Sequence, residues 1–268
     1  VNTMASELWA GFELWVPPSA PDNDGLPLFE IIGTTAQIVQ FPLNPGQSVT
    51  CEPGAMCYMN NGCRVNIKSG GLMDMIGGAL GGESPWKCVY TNKTQGPGYA
   101  AFTTDIPGVL VPIDMNNIDG KLRCKRGAWV CSTGDQETSV QAGFNPAKSM
   151  GGQCCGGLSF ILQELSGGQY SFLVAMGTVI TRTLQAGEEF IVDTNSILAM
   201  TGEIEVDVRQ VGDCGAMCCA GEGAFNTVLT GPGKVWLQSM PIEKLRALFP
   251  KPSKESQGSG GDGGGDGE

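Results

Sequence analysis

The sequence predicts an all-β protein of three degenerate repeats of about 70 residues, packed with pseudo-threefold symmetry as a double-sheeted β-prism or β-helix-like barrel. Three observations predict it. The 268 residues include 41 glycines and 16 prolines, a composition of many turns and short strands rather than long helices. A corner motif recurs: Cys51-Glu52-Pro53-Gly54-Ala55-Met56-Cys57-Tyr58-Met59, then Cys124-Lys125-Arg126-Gly127-Ala128-Trp129-Val130-Cys131, then, more loosely, Val192 to Met200. Each copy is followed by the same succession of polar strand, glycine-rich loop and apolar strand pair.

Within the motif, Gly54, Gly127 and Asn195 occupy the position that calls for a residue tolerant of positive φ, followed by small Ala55, Ala128 and Ser196 and then a large apolar run. The pattern reads as a tight turn feeding a buried strand, with the cysteines as small buried apolar residues. Successive corners lie 73 and 68 residues apart, and the closing glycines Gly98, Gly168 and Gly233 lie 70 and 65 apart. A unit with one apolar face and open edges cannot stand alone, so three of them should share one core.

In chain order, residues 1–28 form an N-terminal arm carrying Trp9, Phe12 and Trp15, expected to pack on its own domain. A single β domain follows over 29–240, with repeats at about 35–104, 105–176 and 177–240. Its first strands are Phe29 to Ile32 and the near-alternating Ala36 to Phe41, before the turn Leu43-Asn44-Pro45-Gly46. The polar strands are Cys63 to Lys68, Glu137 to Gln141 and Glu203 to Val208, and their period-two alternation places one face in water. The apolar strands that follow begin near Trp86, Leu158 and Ala224, and the closing ones near Gly98, Gly168 and Gly233. Ile242 to Phe249 has the spacing of one short helix stopped by Pro250 and Pro252, giving a helical segment at 241–250. The Gly/Asp-rich tail 251–268 is expected to be disordered.

Composition excludes several functions. With no histidine, Ser-His-Asp and Cys-His catalysis and histidine-rich metal sites are absent. A formal net charge of −11 without a basic run disfavours nucleic acid, which needs a positive stripe to neutralise phosphate. The longest strongly apolar stretch, Phe172 to Ile180, is far short of a membrane span. Eleven cysteines, an odd number, in a chain too large to need staples point to a reducing compartment. The expected location is cytoplasmic, with mitochondrial after presequence removal as the alternative; no signal peptide is recognised, and no basic residue precedes Arg64.

The candidate sites are few. The loop Ser69 to Gly82 lacks the Gly-Lys-Ser/Thr ending of a phosphate loop, but Leu72, Met75, Ile76 and Leu80 fall at helical spacing and make 72–80 the segment expected to touch a partner or a membrane surface. Cys154, Cys155, Cys214, Cys218 and Cys219 fall in equivalent loops, where a metal is conceivable, yet none has Cys-x-x-Cys spacing, so they read as reduced structural thiols. Glu188-Glu189 and Glu203 with Glu205 read as solvated turn and edge positions. No catalytic, cofactor-binding or metal residues are assigned.

Phe29 to Gly33, Cys51 to Met56, Gly77 to Ser84, Gly187 to Thr194, and Gly221 to Phe225 followed by Thr230 to Trp236 resemble the altered-inheritance-of-mitochondria twenty-four family over about residues 29–240. The sequence departs from the pattern at Asn145 to Lys148 and in its paired cysteines. The resemblance implies a fold like that of tryptophan RNA-binding attenuator proteins, a tendency to oligomerise and, from fungal relatives, a link to inner mitochondrial membrane organisation. It brings no catalytic residues. The expectation is a non-enzymatic scaffold that forms a homo-oligomer or binds a protein partner, with peripheral membrane contact through 72–80. A small-molecule or metal-binding β barrel is the first alternative, and RNA binding by fold analogy the second.

Overall fold

The computed structural model describes residues 8–16, 22–23, 26–69, 86–118, 121–134, 139–144, 161–210 and 225–249. The loop carrying Leu72, Met75, Ile76 and Leu80, the thiols Cys154, Cys155, Cys214, Cys218 and Cys219, and the tail 251–268 lie outside the described residues.

The protein is all-β. Short pieces open the chain: β1 (Phe12–Leu14), β2 (Asp22–Asn23), β3 (Leu26–Pro27) and β4 (Glu30–Ile32). Six strands follow: β5 (Ile38–Leu43), β6 (Ser48–Cys51), β7 (Met56–Met59), β8 (Cys63–Ser69), β9 (Trp86–Asn92) and β10 (Gly98–Phe102). Next come β11 (Val109–Asp114), β12 (Lys121–Lys125), β13 (Trp129–Thr133), β14 (Ser139–Phe144), β15 (Ile161–Ser166) and β16 (Tyr170–Ala175). The last are β17 (Val179–Leu184), β18 (Glu189–Val192), β19 (Ile197–Thr201), β20 (Glu205–Gln210), β21 (Phe225–Thr230) and β22 (Gly233–Gln238), before helix α1 (Ile242–Ala247).

The described strand pairs are antiparallel. They form a seven-stranded sheet β1-β17-β22-β19-β12-β15-β14, a six-stranded sheet β11-β16-β13-β6-β9-β8, a four-stranded sheet β4-β5-β10-β7, a three-stranded sheet β18-β21-β20 and the ribbon β2-β3. No sheet closes into a barrel among the described residues. Closure needs the two end strands of a sheet to hydrogen-bond to each other, and here each sheet ends on open edges, so the barrel form of the expected fold is corrected.

Burial follows from the sequence pattern. In β5, Val39, Phe41 and Leu43 are buried and alternate with more exposed residues, as an amphipathic strand with one covered face requires. Strand β16 is buried at every position because it lies between β11 and β13 with both faces covered, which is why its sequence is nearly continuous apolar. Phe172 of that strand meets Phe29 and Phe41 edge-on, at ring separations of 4.9 and 5.1 Å. A second core joins Leu122, Trp129 and Leu173 to Leu198 and Trp236, and a third gathers Leu184, Val192, Ile197, Leu229 and Val235. In the arm, β1 adds to the edge of β17, and Phe12 packs beside Phe190 with the Arg182 guanidinium over both rings.

The corners differ in how they turn. Gly54 and Gly127 adopt φ of 92° and 72°, the left-handed conformation expected of them. Asn195 does not. There the Asp193 carboxylate caps a short 3₁₀ turn, Thr194–Ser196, accepting from the Asn195 backbone N–H at 3.1 Å and the Ser196 hydroxyl at 3.2 Å, so the chain turns in a right-handed conformation.

Candidate interaction surface

The strands that continue the corner motif meet different fates. Trp129 and Cys131 on β13 are 2% and 0% exposed, and Ile197, Leu198 and Ala199 on β19 are fully buried. On β7 the corresponding Met56 and Tyr58 are 38% and 37% exposed, and Cys57 is exposed as well. The difference lies in neighbours. Strand β13 is held between β16 and β6, and β19 between β22 and β12, whereas among the described residues β7 is bonded only to β10 and ends its sheet.

Around this edge the outer face is aromatic and polar. The Tyr58 hydroxyl donates to Gln40 Oε1 at 2.7 Å, and the Tyr58 and Tyr99 rings meet edge-on at 6.2 Å. Tyr99 and, on β4, Ile32 are also exposed. Gln40 in turn reaches Glu30. Sequence reasoning placed Met56 to Met59 in the core because its apolar run matches the other two copies; nothing in the local pattern marks this copy as an edge.

A second exposed apolar strip lies on β8, where Val65 and Ile67 face solvent between the exposed Arg64, Asn66 and Lys68. The expected alternation of one buried and one wet face is therefore corrected. Strand β8 ends the six-stranded sheet, and its side chains are exposed on both faces from Arg64 to Lys68. Trp86, opposite Ser69 at the far end of the β8–β9 pair, is exposed too.

Of the described thiols, Cys51, Cys63, Cys124 and Cys131 are buried, Cys88 is partly buried and Cys57 is exposed. Cys131, Cys51 and Cys88 stand side by side across β13, β6 and β9, with Cys131 and Cys51 fully buried. Burial pushes the Cys51 and Cys131 thiols far above the ordinary range, and neighbouring thiols add to the effect, so both remain protonated and unreactive. No cluster of three or more cysteine or acidic residues suited to a metal occurs among the described residues. The acidic pairs are engaged or exposed. Glu188 is held below the usual carboxylate range first by the Gln185 backbone N–H and then by Arg182, and Glu189 by its two hydrogen bonds from Arg209; Glu203 and Glu205 face solvent. Beside Trp129, a cleft lined in part by Glu52, Thr103, Asp105 and Val130 encloses about 60 Å³, well below what an organic ligand fills.

Residues 29–240 match the family described as mitochondrial biogenesis AIM24. The chain belongs to the AIM24 family. A sequence search of curated proteins finds no match. The AIM24 chain is also similar in fold to the X-ray crystal structure of protein SPYM3_0169 from Streptococcus pyogenes, with 22% sequence identity and a TM-score of 0.61 over 82% of this chain and 96% of that one. At that identity the likeness concerns the fold. No helix among the described residues of this AIM24 member is long and apolar enough to cross a membrane.

Proposed function

We propose that this chain is a non-enzymatic structural or scaffolding protein, built from three copies of one six-strand unit, that self-associates and supports a membrane-adjacent assembly of mitochondrial type. The observation that carries the self-association is the β7 edge, whose apolar side chains are exposed where those of β13 and β19 are buried. Membership of a mitochondrial biogenesis family supports the setting.

The repeat is supported by recurring pairings. Strand β10 lies between β5 and β7, β16 between β11 and β13, and β22 between β17 and β19. Likewise β9 lies between β6 and β8, β15 between β12 and β14, and β21 between β18 and β20. The pairing register slips at the same place in all three units, opposite Met56/Tyr58, Trp129/Cys131 and Ile197/Ala199. A repeated bulge with repeated neighbours is what three copies of one unit would produce.

The acidic charge supports a protein rather than a nucleic-acid partner. Light scattering of the purified chain at micromolar concentration tests the reading: a mass of two or more chains is expected, and a strict monomer overturns it.

A further inference from the structure

The chain holds the same joint twice. Strand β13 pairs with β6 of the preceding unit in the register Cys131↔Cys51, Ser132↔Thr50 and Thr133↔Val49. Strand β19 pairs with β12 as Ala199↔Cys124, Met200↔Arg123 and Thr201↔Leu122. Aligned on their corners, the two registers are identical position by position. Each joint welds half of one unit to half of the unit before it into one continuous sheet.

Two halves are left over. The four-stranded sheet ends on β7, the counterpart of β13 and β19, and the three-stranded sheet ends on β18, the counterpart of β6 and β12. We infer that β7 is completed by β18 of a second copy of this chain, in the register Tyr58↔Val192, Met59↔Ile191 and Asn60↔Phe190. This rests on the self-association reading and gives it a surface.

Three features favour that occupant. Side chains at both edges are exposed where their counterparts are covered: Met56 and Tyr58 on β7, and Ile191 on β18, which is 50% exposed while Thr50 and Arg123 at the matching positions are partly buried; Val192 packs into its own core, as Cys51 and Cys124 do. Second, natural edge strands are commonly shielded by charge or polar residues: β8 carries Arg64 and Lys68, β20 carries Glu205, Asp207 and Arg209, and β14, though uncharged, includes Ser139 and Gln141, whereas β7 reads Met-Cys-Tyr-Met. An exposed apolar edge is a template for pairing with another strand. Third, the two edges belong to the first and last units of a row, and no described strand pair joins those units within the chain.

Pairing β7 with β18 of another copy is therefore head-to-tail. Each added chain presents a fresh β7 and a fresh β18, so the assembly closes into a ring or extends as a filament.

The known joints also specify a test. Glu52 N–H donates to the Val130 carbonyl at 3.0 Å, which makes Cys51↔Cys131 a non-hydrogen-bonded pair, with the close backbone approach that a disulfide needs. Positions 58 and 192 inherit that geometry. In a Cys57→Ser background, Tyr58→Cys chains labelled with heavy nitrogen are mixed with unlabelled Val192→Cys chains, oxidised mildly and digested, with circular dichroism confirming that each variant is folded. A disulfide-linked peptide joining a heavy 58 segment to a light 192 segment is expected. If light scattering shows association but no such link forms, this interface is wrong while self-association stands. A linked 58–192 peptide that forms only when both substitutions are in one chain, and never between mixed chains, overturns the inference in favour of closure within the chain. A monomer overturns both.

Discussion

Cys51 on β6 and Cys131 on β13 face each other directly where the two strands pair, both without solvent contact and both unbridged. Their burial, not their chemistry, explains them. In the third copy of the corner motif the corresponding positions are Val192 and Ala199, side chains that can only pack.

A pH dependence follows from the raised pKa of these thiols. In the folded state each stays protonated well above the pH at which an exposed thiol ionises, about 8.5. The stability they contribute is fully present below that value and is lost as pH rises from it toward the folded pKa, because only the unfolded chain releases the proton. Urea midpoints measured between pH 7 and pH 10 under reducing conditions should fall, and Cys51→Val with Cys131→Val should flatten the fall. An equally steep decline in the double variant would assign it to other groups.

Asn92 is fully buried and uses its whole side chain. Its amide nitrogen donates to the Leu43 and Gly96 carbonyls, both at 2.8 Å, and its oxygen accepts from the Thr94 backbone N–H and hydroxyl. Asn92→Leu takes the amide donor from the Leu43 carbonyl in the core and the acceptor from the Thr94 backbone N–H, while the Gly96 carbonyl keeps the Thr94 hydroxyl, and should cost about 1–3 kcal/mol in denaturant unfolding. The same knot explains Gly98, where an added Cβ would come within 2.9 Å of the Asn92 amide. Gly98→Val should therefore destabilise as well.

Trp129 fills the core together with Leu122, Leu198 and Trp236, and its ring N–H donates to the Ser132 hydroxyl at 2.8 Å. Trp129→Ala should cost about 3–5 kcal/mol in chemical unfolding, through lost transfer energy and the cavity left behind. Met56→Ala, at the corresponding place on the exposed β7 edge, should cost far less in the dissociated chain. The contrast measures burial directly.

Ile67→Ser on β8 removes a side chain that is 69% exposed. Its unfolding midpoint should stay within about 0.5 kcal/mol of the parent, and paired with Val65→Ser it should lower binding of a hydrophobic dye such as ANS. A large loss of stability would mean that this strip is covered in solution.

Much of the architecture could be read from the chain. Alternation in Val39, Phe41 and Leu43, the glycine corners at Gly54 and Gly127 and the nearly unbroken apolar run of β16 are local signals, and each appears as a strand or a turn. The Asn195 corner was misread because a residue tolerant of the left-handed conformation need not adopt it when a neighbouring carboxylate such as Asp193 caps a right-handed turn. The candidate surface was not legible at all. Met56 to Met59 looks like Trp129 to Ser132, and Val65 with Ile67 looks like one buried face of a strand.

The sequence alone determined the strands, the corners, the absence of histidine chemistry and the family, since these depend on residue type and short-range spacing. Only the tertiary structure decided which copy of the motif is an interior strand and which is an edge. That choice rests on hydrogen bonds between strands about 80 residues apart, and no local pattern records whether the partner is present.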